Sequence, residues 1–229
     1  TDVTKLFGTD FITSPPKPSG AGPTGGGEES GGDKGGTSDG PAVAEISGQY
    51  VKVIGQGRFI LSSVDGRDTP IPIEEYRKEM IRRILGEAHT LNDFRELWIT
   101  IQKRRELINH LAGENLSPDL IREADEMTDF DHYDFFSFHG YEVHPFTRPE
   151  RNERYLANNS AWFDSIDPNA AIILKGFGHQ FALGGTDALE TQALWDVPEI
   201  HQAGGLSALK RLGKPVDVIH NAKERLFHA

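Results

Sequence analysis

Apolar and polar residues alternate with a period of two from about residue 46, which is the pattern of half-buried β-strands. Two β-rich runs, Tyr50–Ile54 and Arg58–Leu61, are separated by Gly55-Gln56-Gly57. Glycines between two such runs indicate a tight turn, because they reach backbone angles that other residues avoid. This part of the sequence therefore predicts a β-hairpin.

A second turn and two prolines limit the size of the sheet. Asp65-Gly66 predicts another tight turn before Ile71. We expect Pro70 and Pro72 to stop further strand pairing, because proline has no backbone N–H to donate. The sequence thus predicts a two- or three-stranded antiparallel meander. A meander of this size is stable only when it packs against the segments that follow.

The apolar period becomes helical after the prolines. Glu74 to Gly86 has apolar residues near helical spacing, and Thr90 with Asp93 provides a cap for a long amphipathic helix that reaches Leu111. Cap signals and periodicity predict further helices at Ser117 to about Met127, Tyr133–Phe138, after the Thr147/Glu150 capping box, and at Ala170–Leu183, Leu206–Leu212 and Pro215–His228. The fold class expected is mainly α, a multi-helix array preceded by a small antiparallel β-meander.

The chain divides into three parts by composition. Residues 13–44 are rich in Gly, Pro and Ser and cannot bury enough apolar surface to offset the entropy of ordering, so we expect a disordered, flexible linker. Residues 1–12 contain several large apolar side chains ahead of this linker, which fits either the tail of a preceding domain or a disordered terminus. Residues 45–229 are then the folded domain, long enough to form a core.

Charge and cysteine content narrow the function classes. The formal net charge is −11, which disfavours binding to DNA through bulk charge, although a local basic face stays possible. There is no cysteine, so disulfides, thiolate nucleophiles and cysteine metal sites are excluded. We find neither a secretory signal nor an apolar run of about 18 residues. A cytoplasmic protein is expected.

The sequence lacks the motifs of a motor or a nuclease. No G-x-x-x-x-G-K-[ST] loop occurs, and the nearest glycine pattern, Gly176-Phe177-Gly178, follows a helical stretch instead of a strand. No lysine has an acidic residue two positions before it, so the carboxylate-x-lysine pattern of restriction nucleases is missing. No G-x-S-x-G nucleophile elbow is present. We therefore expect no catalytic residue and no bound cofactor in this chain.

A dense group of carboxylates and imidazoles lies between Asp125 and His144. In such numbers these side chains could bind a divalent metal. Their spacing matches neither H-E-x-x-H nor an EF-hand loop, and Asp131 and Asp134 are well placed to cap a helix. We favour capping and predict no metal site.

Basic residues cluster on two predicted helices and on a third that begins near Thr147. They are Arg77, Lys78, Arg82, Arg83, Lys103, Arg104 and Arg105, followed by Arg148, Arg151 and Arg154 at three-residue spacing. One interpretation is a solvated helix face, because glutamates are interspersed. The other is a strip that contacts a partner or phosphate, for which arginine is suited by its bidentate geometry. The candidates for such contacts are Arg104, Arg105, Arg148, Arg151 and Arg154.

The aromatic residues have two possible uses. They could stack on bases or form the core, and we expect the core for Phe94, Trp98, Phe135, Phe136, Phe138, Trp162, Phe163 and Trp195.

Several short motifs occur in a characteristic order. Leu91-Asn92-Asp93-Phe94 leads to Trp98, and further on His144-Pro145-Phe146-Thr147-Arg148-Pro149-Glu150-Arg151 is followed by Trp162-Phe163. The Val51–Gly66 meander comes before these motifs, Asp131–Asp134 lies between them, and the stretch from Ala193 to Pro215 follows them. In this order, residues 46–228 resemble the C-terminal region of the motor (R) subunit of type I restriction endonucleases, of the EcoEI type. Residues 1–12 then resemble the tail of the preceding helicase domain.

The resemblance implies a helical appendage of an ATP-dependent DNA translocase and endonuclease. Its expected role is to dock the motor onto the methyltransferase (M) and specificity (S) subunits, with DNA reached through the whole complex. ATP and Mg²⁺ are expected only in other domains of the R subunit. Two alternatives stay open: a helical module that contacts DNA through Arg148, Arg151 and Arg154, and a metal-dependent hydrolase built on the Asp129–His144 segment.

Overall fold

A four-stranded antiparallel sheet precedes the helices in the computed structural model. The structure describes residues 43–46, 49–54, 57–64 and 67–228, with side chains at 59, 60 and 70–228. The predicted tail at 1–12 and residues 13–42 of the predicted linker lie outside this part of the chain. The strands are β1 (Val43–Ile46), β2 (Gln49–Ile54), β3 (Gly57–Val64) and β4 (Arg67–Pro72), in the order β1-β2-β3-β4.

The predicted meander is confirmed, but the two prolines do not end the pairing as expected. Pro70 pairs with Leu61 and Pro72 with Phe59, so both prolines lie within β4. The sheet has four strands instead of two or three, because β1 adds to the strands that the sequence predicted. β4 is an edge strand, and residues two apart direct their nitrogens to the same side of a strand. The nitrogens of both prolines, which carry no hydrogen to donate, can therefore face away from β3, on the unpaired edge of the sheet. The sheet packs against the first helix, and Ile60 is fully buried there.

The predicted helical array is also confirmed. In the part of the chain that the structure describes, the helices are α1 (Ile73–Glu87), α2 (Leu91–Ile99), α3 (Ile101–Gly113), α4 (Pro118–Ala124), α5 (His132–Tyr141), α6 (Arg148–Asn158), α7 (Ser160–Ser165), α8 (Pro168–Ala188), α9 (Ala193–Asp196), α10 (Pro198–Gln202), α11 (Gly205–Leu209) and α12 (Pro215–His228). Both capping boxes form, Thr90 with Asp93 at α2 and Thr147 with Glu150 at α6. No described helix is both long enough and apolar enough to cross a bilayer.

The predicted long helix from Thr90 to Leu111 is two helices, so that prediction was wrong. Thr100 has extended angles (φ −84°, ψ 107°) and separates α2 from α3. It lies within Ile99-Thr100-Ile101, three β-branched residues, which have lower helix propensity than unbranched ones. The break also has a hydrogen-bond partner, because Arg104 Nη1 donates to the carbonyl of Trp98 at 3.2 Å.

The core is one aromatic-rich cluster shared by most helices. Of the aromatic residues predicted to be core, Phe94, Trp98, Phe135, Phe136, Phe163 and Trp195 are buried. Trp162 is half-buried, and Phe138 is 42% exposed, so the prediction was wrong for Phe138. Tyr155, Phe181 and Phe227 are also buried. Ring contacts between Phe94, Tyr133 and Phe227 join α2, α5 and α12.

Helices α6 and α8 approach closely at Gly178. A Cβ atom there would clash with Asn152 Oδ1 and would lie 2.9 Å from Cδ1 of the buried Tyr155. This contact explains a glycine inside a helix without any nucleotide-binding role, and Gly176 likewise lies against Ile200.

We expect Gly178→Ala to lower the free energy of unfolding by about 1–3 kcal/mol, because overpacking outweighs the gain in helix propensity. Urea denaturation measures this change. Gly140→Ala is the matched control, since a Cβ at Gly140 meets only ordinary contacts with Ile81 and Leu85, and it should be neutral or stabilising. Equal effects of the two substitutions would contradict the close approach at Gly178.

Candidate functional site

A hydrogen-bond network around Asp131 joins three separate segments. The carboxylate of Asp131 is buried and accepts hydrogen bonds from the backbone N–H and the hydroxyl of Thr186, at 2.7 and 2.9 Å. It also caps α5 by accepting from the N–H of Tyr133 at 2.9 Å. Trp98 Nε1 donates to the Thr186 hydroxyl at 3.0 Å. The network fixes the end of α8 against α2 and the start of α5.

Gly185 makes this network possible. It interrupts α8 with φ 70° and ψ −162°, a conformation that L-residues with a side chain avoid. The break turns the N–H of Thr186 toward Asp131. A Cβ atom at Gly185 would lie 2.5 Å from Asp131 Oδ2. The predicted helix end at Leu183 lies two residues before this break, and the residues that follow Gly185 form a further helical turn to Ala188.

The second buried network is an ion triad of Arg104, Glu190 and Lys223. Arg104 donates to both oxygens of Glu190, one of them at 2.8 Å, and Lys223 donates to the same carboxylate at 2.5 Å. All three side chains are at most 4% exposed. Burial alone would raise the pKa of Glu190, but Lys223 and Arg104 hold it below its ordinary value. The triad connects α3, the end of α8 and α12 through charge-assisted hydrogen bonds.

A third buried contact is the bidentate pair of Arg151 and Asp134. Arg151 Nε and Nη2 lie 2.8 and 2.6 Å from the two carboxylate oxygens, and Nη1 donates to the carbonyl of Leu226 at 3.1 Å. The guanidinium also lies over the ring of Tyr133, at 5.1 Å from its centroid. This pair ties α6 to α5 and to the end of α12.

The structure separates the five arginines predicted as contact residues. Arg104 and Arg151 are 4% and 3% exposed and belong to the two buried ion networks. Arg105 and Arg148 are half-buried, and Arg154 is exposed, with its guanidinium 4.3 Å from the ring centroid of Phe146. Contact of any of them with a partner or with phosphate stays a prediction, and the accessible ones are Arg105, Arg148 and Arg154.

A surface cleft of about 550 Å³ brings some of these arginines together. We call it the arginine cleft; it is lined by Trp98, Arg104, Arg105, Ile108, Asn109, Asp119, Arg122, Asp131, His132, Arg148, Gly184, Thr186, Asp187, Glu190 and Thr191. Arg151 and Arg154 lie outside it. The two networks around Asp131 and Glu190 form its floor, so its shape is set by buried polar contacts.

The side chains at the rim of the arginine cleft differ in how well they are paired. Asp119 accepts from Arg122 at 2.7 Å and lies 3.0 Å from His132 Nε2, and the contact with His132, followed by that with Arg122, lowers the pKa of Asp119. In contrast, Arg148 forms no side-chain ion pair or hydrogen bond among the described residues, and its Nε is buried without a partner there. Arg148 is thus the cleft arginine most available for an external carboxylate or phosphate.

The residues from Asp125 to His144 do not converge on one point. Asp131 and Asp134 serve the networks above. His139 Nε2 lies 3.5 Å from Asp125, and burial, with Arg77 adding to it, lowers the pKa of His139. Within the described part of the chain, the ligand atoms of this segment form no cluster of three that could hold a metal.

A different metal-capable group was missed by the sequence analysis. Glu96, His220 and Glu224 each offer a ligand atom, and these atoms lie within 4.8 Å of one another. His220 and Glu224 are one helical turn apart on α12, a spacing that the sequence does display, but Glu96 joins them only through the folding of α2 against α12.

Comparison with known protein families gives a match to most of the helical region. The family model described as EcoEI R protein C-terminal matches residues 74–226, which is more than half of the chain. Searches of curated proteins and of solved structures found no match. The matched region begins in α1, ends in α12 and contains the whole arginine cleft.

Proposed function

We propose that this chain, which belongs to the EcoEI R protein C-terminal family, is a non-catalytic docking domain. The family comprises the C-terminal regions of the R subunits of type I restriction enzymes. Its partners in this proposal are the methyltransferase and specificity subunits, which it joins to the motor. ATP hydrolysis, Mg²⁺ binding and strand cleavage are assigned to other parts of the R subunit. DNA is contacted by the complex as a whole.

The charge balance of the arginine cleft is the observation that carries the proposal. Arg104, Arg105, Arg122 and Arg148 line it together with Asp119, Asp131, Asp187 and Glu190. Four arginines are therefore matched by four carboxylates, in a chain of formal net charge −11. Such a surface offers a phosphate backbone no net attraction, whereas a protein partner with mixed charges can complement both signs.

Rigidity of the cleft supports docking as well. Its floor consists of the buried networks of Asp131 and Glu190, whose polar groups are satisfied inside the domain. A preformed surface loses little conformational entropy on binding, which favours affinity. Leu183, an exposed apolar residue, precedes Gly184 of the cleft by one position and offers apolar area next to the charged rim.

Direct DNA contact is the second candidate, favoured by one specific observation. Arg105, Arg148 and Arg154 keep accessible guanidinium groups, and arginine binds phosphate bidentately. Three phosphate contacts would make affinity fall roughly 40-fold between about 50 and about 200 mM salt. A protein interface with an apolar part depends much less on salt.

We expect Arg148→Ala to weaken binding to a purified methyltransferase–specificity assembly by roughly 10- to 30-fold, because it removes an unpaired guanidinium from the arginine cleft. Isothermal titration of the full chain measures the dissociation constant. Arg82→Ala is the control: Arg82 is exposed, pairs with Glu79 and lies on α1, outside the arginine cleft. Its dissociation constant should stay within about twofold of the wild type.

Two results would count against the cleft as the docking surface. If Arg148→Ala and Arg82→Ala bind the assembly equally well, the contact lies elsewhere. If Arg148→Ala instead weakens binding to a DNA duplex and the loss disappears at high salt, the DNA-contacting alternative is supported.

A further inference from the structure

Glu96, His220 and Glu224 form a mixed imidazole–carboxylate group where α12 packs against α2. His220 Nε2 lies 3.7 Å from Glu224 Oε1, and the ligand atoms of all three side chains lie within 4.8 Å of one another. The two α12 residues are four apart, so they project from one face of that helix toward the same space. Both side chains are 42% exposed, which leaves them free to adjust.

Two arginines, Arg95 and Arg225, line the same cavity as the two carboxylates of this group, but neither forms an ion pair with them in the described part of the chain. Arg95 donates to Asn92, and Arg225 donates to Asn221 and Asn159. Lys223 points to the opposite side of α12, into the buried triad with Glu190. Arg95 and Arg225 thus keep their charges near the group, while their hydrogen bonds go to neutral asparagines. The two carboxylates and the imidazole therefore lie close together without a direct ion pair to an arginine, and a cation bound between them would be attracted by both carboxylates.

We propose that Glu96, His220 and Glu224 bind a divalent transition-metal ion, which clamps α12 to α2. One imidazole nitrogen and two carboxylate oxygens are a donor set suited to ions such as Zn²⁺. Ligand atoms around tetrahedral Zn²⁺ lie roughly 3.3 Å apart, so the three side chains need to draw together by roughly 1 Å.

The surroundings leave room to complete the coordination shell. Glu96 and Glu224 line a cavity of about 700 Å³, whose other lining residues are Asn92, Arg95, Asn158, Asn159, Asn221, Arg225 and His228. Three protein ligands leave a position for water or for a group from a partner. The ion therefore serves as a cross-link between two helices that are far apart in sequence, and the site does not depend on the proposed docking function.

The site is tested by titrating the untagged full chain with Zn²⁺ in an isothermal titration calorimeter. We expect one saturable equivalent of Zn²⁺, and a dissociation constant that rises at least tenfold in His220→Ala. At Zn²⁺ about 100-fold above the dissociation constant, the Tm of the wild type should rise by about 5–10 °C, and that of His220→Ala should not.

His110→Ala is the matched control. His110 is also a surface histidine with two glutamates nearby, but Glu87 lies at Nδ1 (3.4 Å) and Glu114 at Nε2 (3.3 Å), on opposite edges of the ring. Two carboxylates so placed cannot share one ion with the imidazole, so His110→Ala should bind Zn²⁺ within about twofold of the wild type.

Three results would contradict the proposed metal site. No saturable binding by the wild type, unchanged binding by His220→Ala, or an equal loss in His110→Ala would each exclude it. Glu96→Gln provides a second variant in case His220→Ala does not fold, since Glu96 is exposed and forms no described side-chain contact. Its expected loss of affinity is also at least tenfold, and an unchanged dissociation constant would again contradict the proposal.

Discussion

Glu190→Gln is expected to lower the free energy of unfolding by about 3–5 kcal/mol, because it leaves two buried cations without their shared anion. Arg104 and Lys223 both donate to the Glu190 carboxylate, and all three side chains are almost completely buried. The carboxylate of Asp187 is 3.7 Å from Arg104, but it is mostly exposed to solvent. A neutral amide at position 190 cannot compensate for the desolvation of two positive charges.

The effect is measured by thermal and urea denaturation. A change of this size lowers the Tm by roughly 6–20 °C in a domain of this length. Glu79→Gln is the matched control, because Glu79 also contacts two arginines, Arg82 and Arg83, but at the surface. An exposed pair contributes little, so the control should change stability by less than about 1 kcal/mol. Similar losses in the two variants would contradict the importance of the buried triad.

The triad also predicts how the difference between wild type and Glu190→Gln changes with pH. The pKa of Glu190 is held below its ordinary value of 4.5 in the folded state. Its charged form therefore stabilises the fold fully above that value, and the contribution is lost as the pH falls through the lower, folded pKa. The stability gap between the two proteins should be constant near neutral pH and shrink in acid.

Gly185→Ala is expected to cost about 2–4 kcal/mol for two reasons that act together. The backbone at Gly185 has φ 70° and ψ −162°, where a side chain is strained, and the new Cβ would lie 2.5 Å from Asp131 Oδ2. Relief of the backbone strain or of the close contact would move Asp131 away from Thr186. The hydrogen bond from Trp98 to Thr186 would then be disturbed as well.

Tryptophan fluorescence and urea denaturation test this prediction together. We expect a lower midpoint of unfolding and a changed native spectrum, because Trp98 loses its fixed environment. Gly86→Ala is the control: Gly86 lies in α1, a Cβ atom there would have no neighbour within 4 Å, and the substitution should be neutral or stabilising by about 0.5–1 kcal/mol. A native spectrum and midpoint unchanged in Gly185→Ala would show that the backbone break is not required.

Local signals in the sequence predicted the elements of the fold well. The capping boxes at Thr90 and Thr147 mark the starts of α2 and α6, and Pro215 to His228 is a helix as predicted. Each of these signals depends on residues within four positions of one another, so it can be recognised in the sequence alone. The family resemblance, which rests on ordered short motifs, is confirmed over residues 74–226.

Contacts between distant segments could not be predicted in this way. Arg104 and Arg151 look like surface residues in sequence, and only their carboxylate partners, Glu190 and Asp134, allow them to be buried. The break at Thr100 was missed for a different reason, since the contact that stabilises it is local. Helical periodicity continues across it, and the group that stabilises the break, Arg104, acts through its side chain.

The candidate sites could not be predicted either, because they also depend on contacts between distant segments. The arginine cleft is assembled from α2, α3, α4, α5, α6 and the end of α8, so no single sequence motif predicts it. Arginines 148, 151 and 154 are evenly spaced in sequence, yet their environments differ completely: a cleft, a buried pair and an exposed stack on Phe146. Helical rotation separates residues three apart by about 60°, enough to divide a strip between core and solvent.

Binding of the wild-type chain to a purified methyltransferase–specificity assembly, compared with binding to a DNA duplex, tests the central claim most directly. Both titrations are made by calorimetry at about 50 and about 200 mM salt. A docking domain predicts a saturable complex with the assembly at micromolar or lower concentration, with affinity that changes less than about tenfold with salt, and no comparable binding to the duplex. Absence of a complex at micromolar concentration, or tighter and strongly salt-dependent binding to the duplex, would contradict it.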